Sequence, residues 1–386
     1  MNHCTQGPQT LRTRAAAETY LDSWQNEGVD WDAWLDEVDR ARAAFASLIN
    51  AQPNEIAVTT SLSAAATAVA SACRFDQPRR RIVLSEAEFP TVGHAWLAME
   101  RYGAELDWIP VENGVVDPAE YERRIDERTL AVVACHASFQ NGAKQDVETI
   151  SGWAHERGAF VFCDAYQTVG IHAIDVRKLG VDFLAAGNLK FLLGMPGIAF
   201  LYVRQDAVER FAPTATGWLG RQRPFDFDVR TLDYAPTASR FNTGTPPLAC
   251  AYVARAGMEI LQEVGTAPIQ AWTDYLSERL LRGAIERGLE VDGPNDVHSK
   301  TPLTAIVCER GEVDAGKGAA TSWTARPRRP SDLVEERLRE RGVLASARGR
   351  VVRLTPHFYN TTEEVDRALD IVAEVVRGGD LEKLLS

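Results

Sequence analysis

Two side chains in the middle of the chain invite a chemical reading. Asp164 closes a short apolar run, Ala159–Cys163, and Lys190 lies between that run and a second, Gly197–Val203, flanked by Leu189, Phe191 and Leu192. Both runs are bounded by turn residues and too short for helices, so they read as buried strands. A carboxylate at the end of a buried strand and an amine among apolar side chains are costly unless something there uses them. Desolvation lowers a lysine's pKa and frees its amine to act as nucleophile or base. The plain alternative is that Asp164 caps a turn and Lys190 snorkels to the surface. The chemical alternative is pyridoxal phosphate, which needs an amine for its Schiff base and an acid partner for its pyridine nitrogen.

The surrounding residues favour the second. The pattern D-A-Y-Q-x-x-G from Asp164, then D-V-x-x-L-G-V-D-F-L from Asp175, then L-K-x-L-x-G-x-P-G-x-A-F-L-Y-V from Leu189 resembles the class V aminotransferase family. That family is pyridoxal phosphate-dependent and has the fold type I architecture. The resemblance implies an α/β fold, a mainly parallel sheet sandwiched by helices, with a smaller α+β C-terminal domain. It assigns residues 29–265 to a large cofactor-binding domain, and 1–28 with 266–386 to the small one.

Residue by residue, the resemblance makes Lys190 the cofactor anchor and the acid/base at the substrate Cα, and Asp164 the partner that keeps the pyridine nitrogen protonated. Gln167 matches a position that hydrogen-bonds the phenolic oxygen of the ring. Ser61-Leu62-Ser63-Ala64 sits at a strand-to-helix junction, where free N–H groups and the helix dipole attract an anion. It matches the family's phosphate loop, with Ser63 and Ala64 as contacts and Ala64 in place of a second hydroxyl. Phe89, in Glu88-Phe89-Pro90-Thr91, is similar to the aromatic that stacks on the ring; kynureninases have a similar F-P-T. Gly244-Thr245-Pro246 matches a G-T-P whose Thr reaches the neighbouring subunit's cofactor phosphate, implying a homodimer with shared active sites. Arg353, followed by Tyr359-Asn360, matches the arginine that clamps a substrate α-carboxylate, a task suited to a bidentate guanidinium.

Departures matter too. Gly187-Asn188-Leu189-Lys190 lacks the serine and histidine of S-x-H-K, and Phe139 replaces an Asn. Residues 344–350 contain no cysteine where cysteine desulfurases carry their nucleophile, so persulfide chemistry is not expected. The most similar branch is the isopenicillin-N-epimerase-like and cysteine-desulfurase-like group, which includes enzymes that process cysteine S-conjugates in lincosamide-type antibiotic pathways. β-Elimination of such a conjugate to thiol, pyruvate and ammonia is the expected reaction. Decarboxylation-coupled oxidative deamination, epimerisation and transamination remain alternatives, and a non-enzymatic regulator of the same fold is a further one.

The elements that must position these groups follow from the periodicity. Strand-like runs at 56–60, 81–85, 106–111, 130–135 and 159–163 alternate with helical segments at 62–73, 90–102, 117–127 and 145–157, which implies a parallel sheet covered on both faces. Thr60, Glu86, Ser138 and Asp164 fall at the carboxyl ends of those strands, where such sheets bind ligands. Two helices, 11–26 and 30–50, precede the series. The 213–240 stretch is a long loop whose Trp218, Arg221 and Arg223 either reach a substrate or form a solvated lid. Helices from 246 and at 268–288 lead to an α+β portion: strand 302–308, helix 331–341, strand 351–355 and helix 362–376. A Thr361–Glu364 capping box starts the last helix, and 309–330 reads as exposed.

At 386 residues, 45% hydrophobic and 25% charged, the chain is an ordinary globular sequence. A net charge of −12 argues against nucleic-acid or anionic-membrane partners. Six scattered cysteines without a C-x-x-C pair argue against a metal site or disulfide framework and fit a reducing cytoplasm. With no apolar leader or long apolar run, the expectation is a soluble cytoplasmic protein acting on a small amino acid.

Overall fold

The computed structural model describes residues 1–308 and 329–377. The exposed stretch expected at 309–330 falls on 309–328, outside the described residues. In chain order the larger part comprises α1 (Leu11–Glu27), α2 (Trp31–Leu48), β1 (Ile56–Thr59), α3 (Leu62–Ser71), β2 (Arg81–Ser85), α4 (Pro90–Leu97), β3 (Glu105–Ile109), α5 (Pro118–Arg124), β4 (Thr129–Cys135), α6 (Val147–Glu156), β5 (Phe160–Asp164), α7 (Val176–Leu179), β6 (Phe183–Gly187), β7 (Ala199–Val203) and α8 (Leu248–Val264). Its seven strands are ordered β1-β7-β6-β5-β4-β2-β3. β7 runs against both of its neighbours, and every other pairing is parallel.

Alternation along each strand sorts side chains to two cores. Val132, Ala134, Val161, Cys163 and Phe200 face one layer with α2 and α8, whereas Ala131, Val133, Phe160, Phe162 and Leu201 face the other with α3 and α4. A strand apolar on both sides can only sit between two helical layers, which is why these runs contain almost no polar residues. Phe45 of α2 is fully buried and stacks on Phe200, with ring centroids 4.6 Å apart.

The smaller part comprises α9 (Thr266–Glu286), β8 (Val291–Asp292), β9 (Thr304–Val307), α10 (Pro330–Glu340), β10 (Ser346–Arg348), β11 (Val351–Leu354) and α11 (Thr362–Arg377). Its strands form an antiparallel sheet ordered β10-β11-β9-β8. The Thr361–Glu364 capping box is present: the Glu364 N–H donates to Thr361 Oγ1 at 3.3 Å, and the Thr361 N–H to Glu364 Oε2 at 3.0 Å. No helix among the described residues is long and apolar enough to cross a membrane.

Two features depart from the expected layout. β6 has the composition Phe-Leu-Ala-Ala-Gly, without a β-branched residue, and the apolar-run reading passes over it; its neighbours hold it in place by pairing on both sides. Residues 1–28 divide between the two parts. α1 packs on α8 and α2, with Tyr20 5.5 Å from Trp34 and 5.7 Å from Tyr252 between ring centroids. The preceding segment alone joins the small sheet, through a bridge from Asn2 to Thr355.

Phe45→Ala leaves a cavity against Phe200 and should lower unfolding free energy by about 3–5 kcal/mol in chemical denaturation. A loss under about 1 kcal/mol would mean that the two helical layers do not share a close-packed core there.

Candidate active site

The cavity of interest, about 350 Å³, opens at one end of the large sheet. It is reached from the carboxyl ends of β1 (Ser61, Ser63), β2 (Ala87, Phe89), β4 (Cys135, Ala137, Phe139), β5 (Asp164, Tyr166, Gln167) and β6 (Leu189, Lys190). Because β7 runs the other way, its leading residues Pro196–Ile198 line the same end. Arg348 and Arg353 of the small sheet, with Cys4 and Thr5 of the first segment, complete the wall.

The sequence-predicted residues Lys190, Asp164, Gln167, Phe89, Ser63 and Arg353 therefore meet in one cavity. Asp164 is only 6% exposed, and the Tyr166 N–H donates to its Oδ1 at 2.9 Å. Burial raises its pKa from 3.8 to about 6, partly opposed by that N–H and by Lys190. Burial likewise brings Lys190 down from 10.5 to about 8, with Asp164 and Cys4 pulling back and Arg353 pushing further down. Its ammonium sits 4.2 Å from the Tyr166 ring centroid and 5.9 Å from that of Phe89. Phe89 meets Phe139 edge-on at 5.0 Å, so the residue that replaces the family's Asn buttresses the aromatic wall.

Arg353 is held rigidly. It is 2% exposed; Nε and Nη2 donate to Ser346 Oγ at 3.1 and 2.7 Å, Nη2 also to Thr5 Oγ1 at 3.0 Å, and Nη1 to the Phe139 carbonyl. Ser346 can serve because it is the cross-strand partner of Arg353 in the β10–β11 ladder.

One expected contact falls elsewhere. The Ala64 N–H is already spent on the Ser61 side chain, which caps α3 at 3.1 Å, and Ala64 does not line the cavity. The helix start offers instead the N–H groups of Leu62 and Ser63, which precede the first intrahelical bond. Thr245 lines a neighbouring cavity of about 340 Å³, with Thr60 shared between the two. In the 213–240 loop, Arg221 is 8% exposed and bonds to Asp233 at 2.7 Å and to the Asp228 carbonyl at 3.0 Å. It staples its own loop and lines the Thr245 cavity rather than the one containing Lys190.

Three groups escaped the sequence reading. Tyr166 lies within the D-A-Y-Q motif yet took no role there. Glu88, one residue before Phe89, is a buried acid: burial first, then the Asp164 charge, push it from 4.5 to about 8, although it accepts the Cys135 N–H at 2.6 Å. The third is Cys4. The loop 344–350 lacks a thiol, but the first segment supplies one beside it, with Sγ 3.9 Å from Ser346 Oγ. The expectation against persulfide chemistry rests on the 344–350 loop, and Cys4 lies outside that loop.

The residues fit pyridoxal phosphate. An acid, an amine, aromatic faces and a helix N-terminus converge on one cavity, and Gln167 Oε1 is buried there without a hydrogen-bond partner. A donor on a ligand would satisfy that oxygen.

The fold and this site define a fold type I, pyridoxal phosphate-dependent enzyme. The model of the family Aminotransferase class-V matches residues 25–315, and the chain belongs to that family. It is 33% identical over 370 residues to an "Uncharacterized aminotransferase YcbU" of Bacillus subtilis, covering 96% of this chain and 92% of that one. It is 27% identical to a "Probable cysteine desulfurase" of Methanothermobacter thermautotrophicus, covering 89% and 84%. Among solved structures, a cysteine desulfurase from Thermococcus onnurineus superposes with a TM-score of 0.82 at 21% identity, over 97% of this chain and 94% of that one. The cofactor is pyridoxal phosphate and the substrate an amino acid.

Glu88 gives a pH-dependent expectation for the cofactor-free protein. Its folded pKa is raised, so its stabilising contribution is complete below 4.5 and disappears as pH rises towards about 8. Wild type should therefore lose on the order of a few kcal/mol relative to Glu88→Gln between those limits, with a constant gap above. Thermal unfolding at a series of pH values reads this, and parallel curves would show that Glu88 ionises normally.

Proposed function

We propose that the enzyme cleaves the Cβ–S bond of a cysteine S-conjugate or a similar β-substituted amino acid, releasing thiol, pyruvate and ammonia. The observation that supports this best is the pairing of Lys190 with Arg353 across a small, largely apolar cavity. A guanidinium fixed by four hydrogen bonds holds an α-carboxylate in one orientation. That orientation presents the Cα proton to Lys190, whose lowered pKa suits proton transfer near neutrality. Bound pyridoxal phosphate supplies the electron sink for the bond broken at Cα. Asp164, ionised beside a cationic ring nitrogen, sets the strength of that sink. Phe89, Phe139 and Ile198 line the same cavity and suit an apolar thioether better than a charged side chain. The relative named as a probable cysteine desulfurase supports a sulfur-bearing, cysteine-like substrate. A place in the tailoring of cysteine-derived natural products fits the same chemistry.

On this reading the working unit is a homodimer in the cytoplasm. Thr245, outside the Lys190 cavity of its own chain, faces the phosphate bound in the other. Sedimentation should show a dimer, and Thr245→Ala should weaken cofactor retention roughly 10-fold. A monomer with full cofactor affinity would remove Thr245 from the site.

Incubation with S-ethyl-cysteine should release ethanethiol and pyruvate in equal amounts. Lys190→Ala should lose both the visible absorbance of the bound cofactor and this activity, by a factor of at least about 10³. Recovery of intact substrate with deuterium at Cα would instead indicate epimerisation, and an oxo acid that keeps the thioether would indicate transamination.

A further inference from the structure

The segment from Asn2 to Gly7 touches Arg353, Gln167 and the backbone at Lys190. The Thr5 hydroxyl accepts from Arg353. The Cys4 carbonyl accepts from Gln167 Nε2 at 3.2 Å. The Gly7 N–H donates to the Leu189 carbonyl at 2.8 Å, next to Lys190. A side chain at Gly7 would meet the Lys190 carbonyl oxygen at 2.4 Å, so glycine is required for the approach.

Within this segment the Cys4 side chain is 1% exposed and lines the Lys190 cavity. Its Sγ lies 3.9 Å from both Ser346 Oγ and Thr5 Oγ1, the two hydroxyls that hold Arg353. A substrate whose carboxylate is held by Arg353 in this cavity would lie beside the thiol. Gln167 Oε1, on a residue 3% exposed, has no hydrogen-bond partner, so a polar ligand completes the same cavity. Burial alone would raise the thiol's pKa, but Arg353, Thr355, Lys190 and Ser346 together bring it below 9.0.

We propose that Cys4 is the general acid that protonates the sulfur leaving the substrate. The role rests on the elimination reading. Lys190 takes the Cα proton, the electrons of the Cα–H bond become the second bond between Cα and Cβ, and the Cβ–S pair departs with sulfur. The Cys4 S–H proton moves to that sulfur and completes the free thiol, leaving Cys4 as a thiolate that solvent reprotonates. The remaining unsaturated amino acid hydrolyses to pyruvate and ammonia. No external oxidant or reductant is needed.

An acid of this kind matters only for leaving groups that need a proton. Holoenzyme variants Cys4→Ala and Cys4→Ser are compared with wild type on S-ethyl-cysteine, whose thiolate leaves poorly, and β-chloroalanine, whose chloride needs no proton. The expected result is a roughly 10²-fold fall in kcat/KM on the thioether with less than about a 3-fold change on the chloride, in both variants. Should the alanine variant fail to hold cofactor, the serine variant carries the comparison, since an aliphatic hydroxyl is too weak an acid to replace the thiol. Equal losses on both substrates would overturn the proposal and leave Cys4 a wall residue. An ethyl disulfide on Cys4 together with alanine after turnover of S-ethyl-cysteine, detected by mass spectrometry, would overturn it in favour of sulfur acceptance. If wild type cleaves neither substrate, the elimination reading fails first and the acid role falls with it.

Discussion

The site depends on two opposite charges buried at the end of a sheet that offers them little else. Asp164 and Lys190 are each drawn towards their neutral forms by desolvation, and each holds the other back. Burying a carboxylate that has one backbone donor and no paired guanidinium is a poor way to stabilise a fold. A bound pyridoxal phosphate would give that acid a cationic partner, and the sheet that holds the acid in place must be rigid. That rigidity comes from strands buried on both faces, locked between helical layers by contacts such as Phe45 on Phe200.

The substrate end has a different origin. Arg353 belongs to the small sheet, yet its guanidinium is fixed by Ser346 from the same sheet, Phe139 from the large one, and Thr5 from the first segment. Three stretches far apart in the chain must converge before the clamp exists. A guanidinium oriented by so many acceptors loses little freedom on meeting a carboxylate, which is the source of its precision.

How much of this was legible in the sequence follows from which contacts are local. The strands around Asp164 were legible because a strand buried on both faces must be a continuous apolar run. β6 was not, since Ala185, Ala186 and Gly187 carry no strand preference and only their neighbours specify it. The direction of β7 was likewise hidden: an apolar run reads the same forwards and backwards. Lys190, Asp164 and Gln167 were legible through a motif that keeps them together. Cys4 was not, because Ser346 lies 342 residues away and nothing in M-N-H-C-T marks a thiol for an active site. At Ala64 the family pattern suggests a phosphate contact, whereas the Ser61 hydroxyl caps the helix on that same N–H.

Glu88 and Asp164 are buried close together, and only one of them is charged at neutral pH. The two lie close enough for the Asp164 charge to raise the Glu88 pKa, since two anions in so dry a place repel each other. The environment separates them. Asp164 faces the cavity, feels Lys190 and titrates near 6, so it is ionised at neutral pH. Glu88 faces the core, with Oε2 unpartnered and one backbone donor on Oε1, and near 8 it keeps its proton. A pair of carboxyls divided in this way gives a single anion of fixed position, which is what a ring nitrogen needs as its partner. The neutral acid behind it supplies a polar brace for the Cys135 backbone without adding a competing charge.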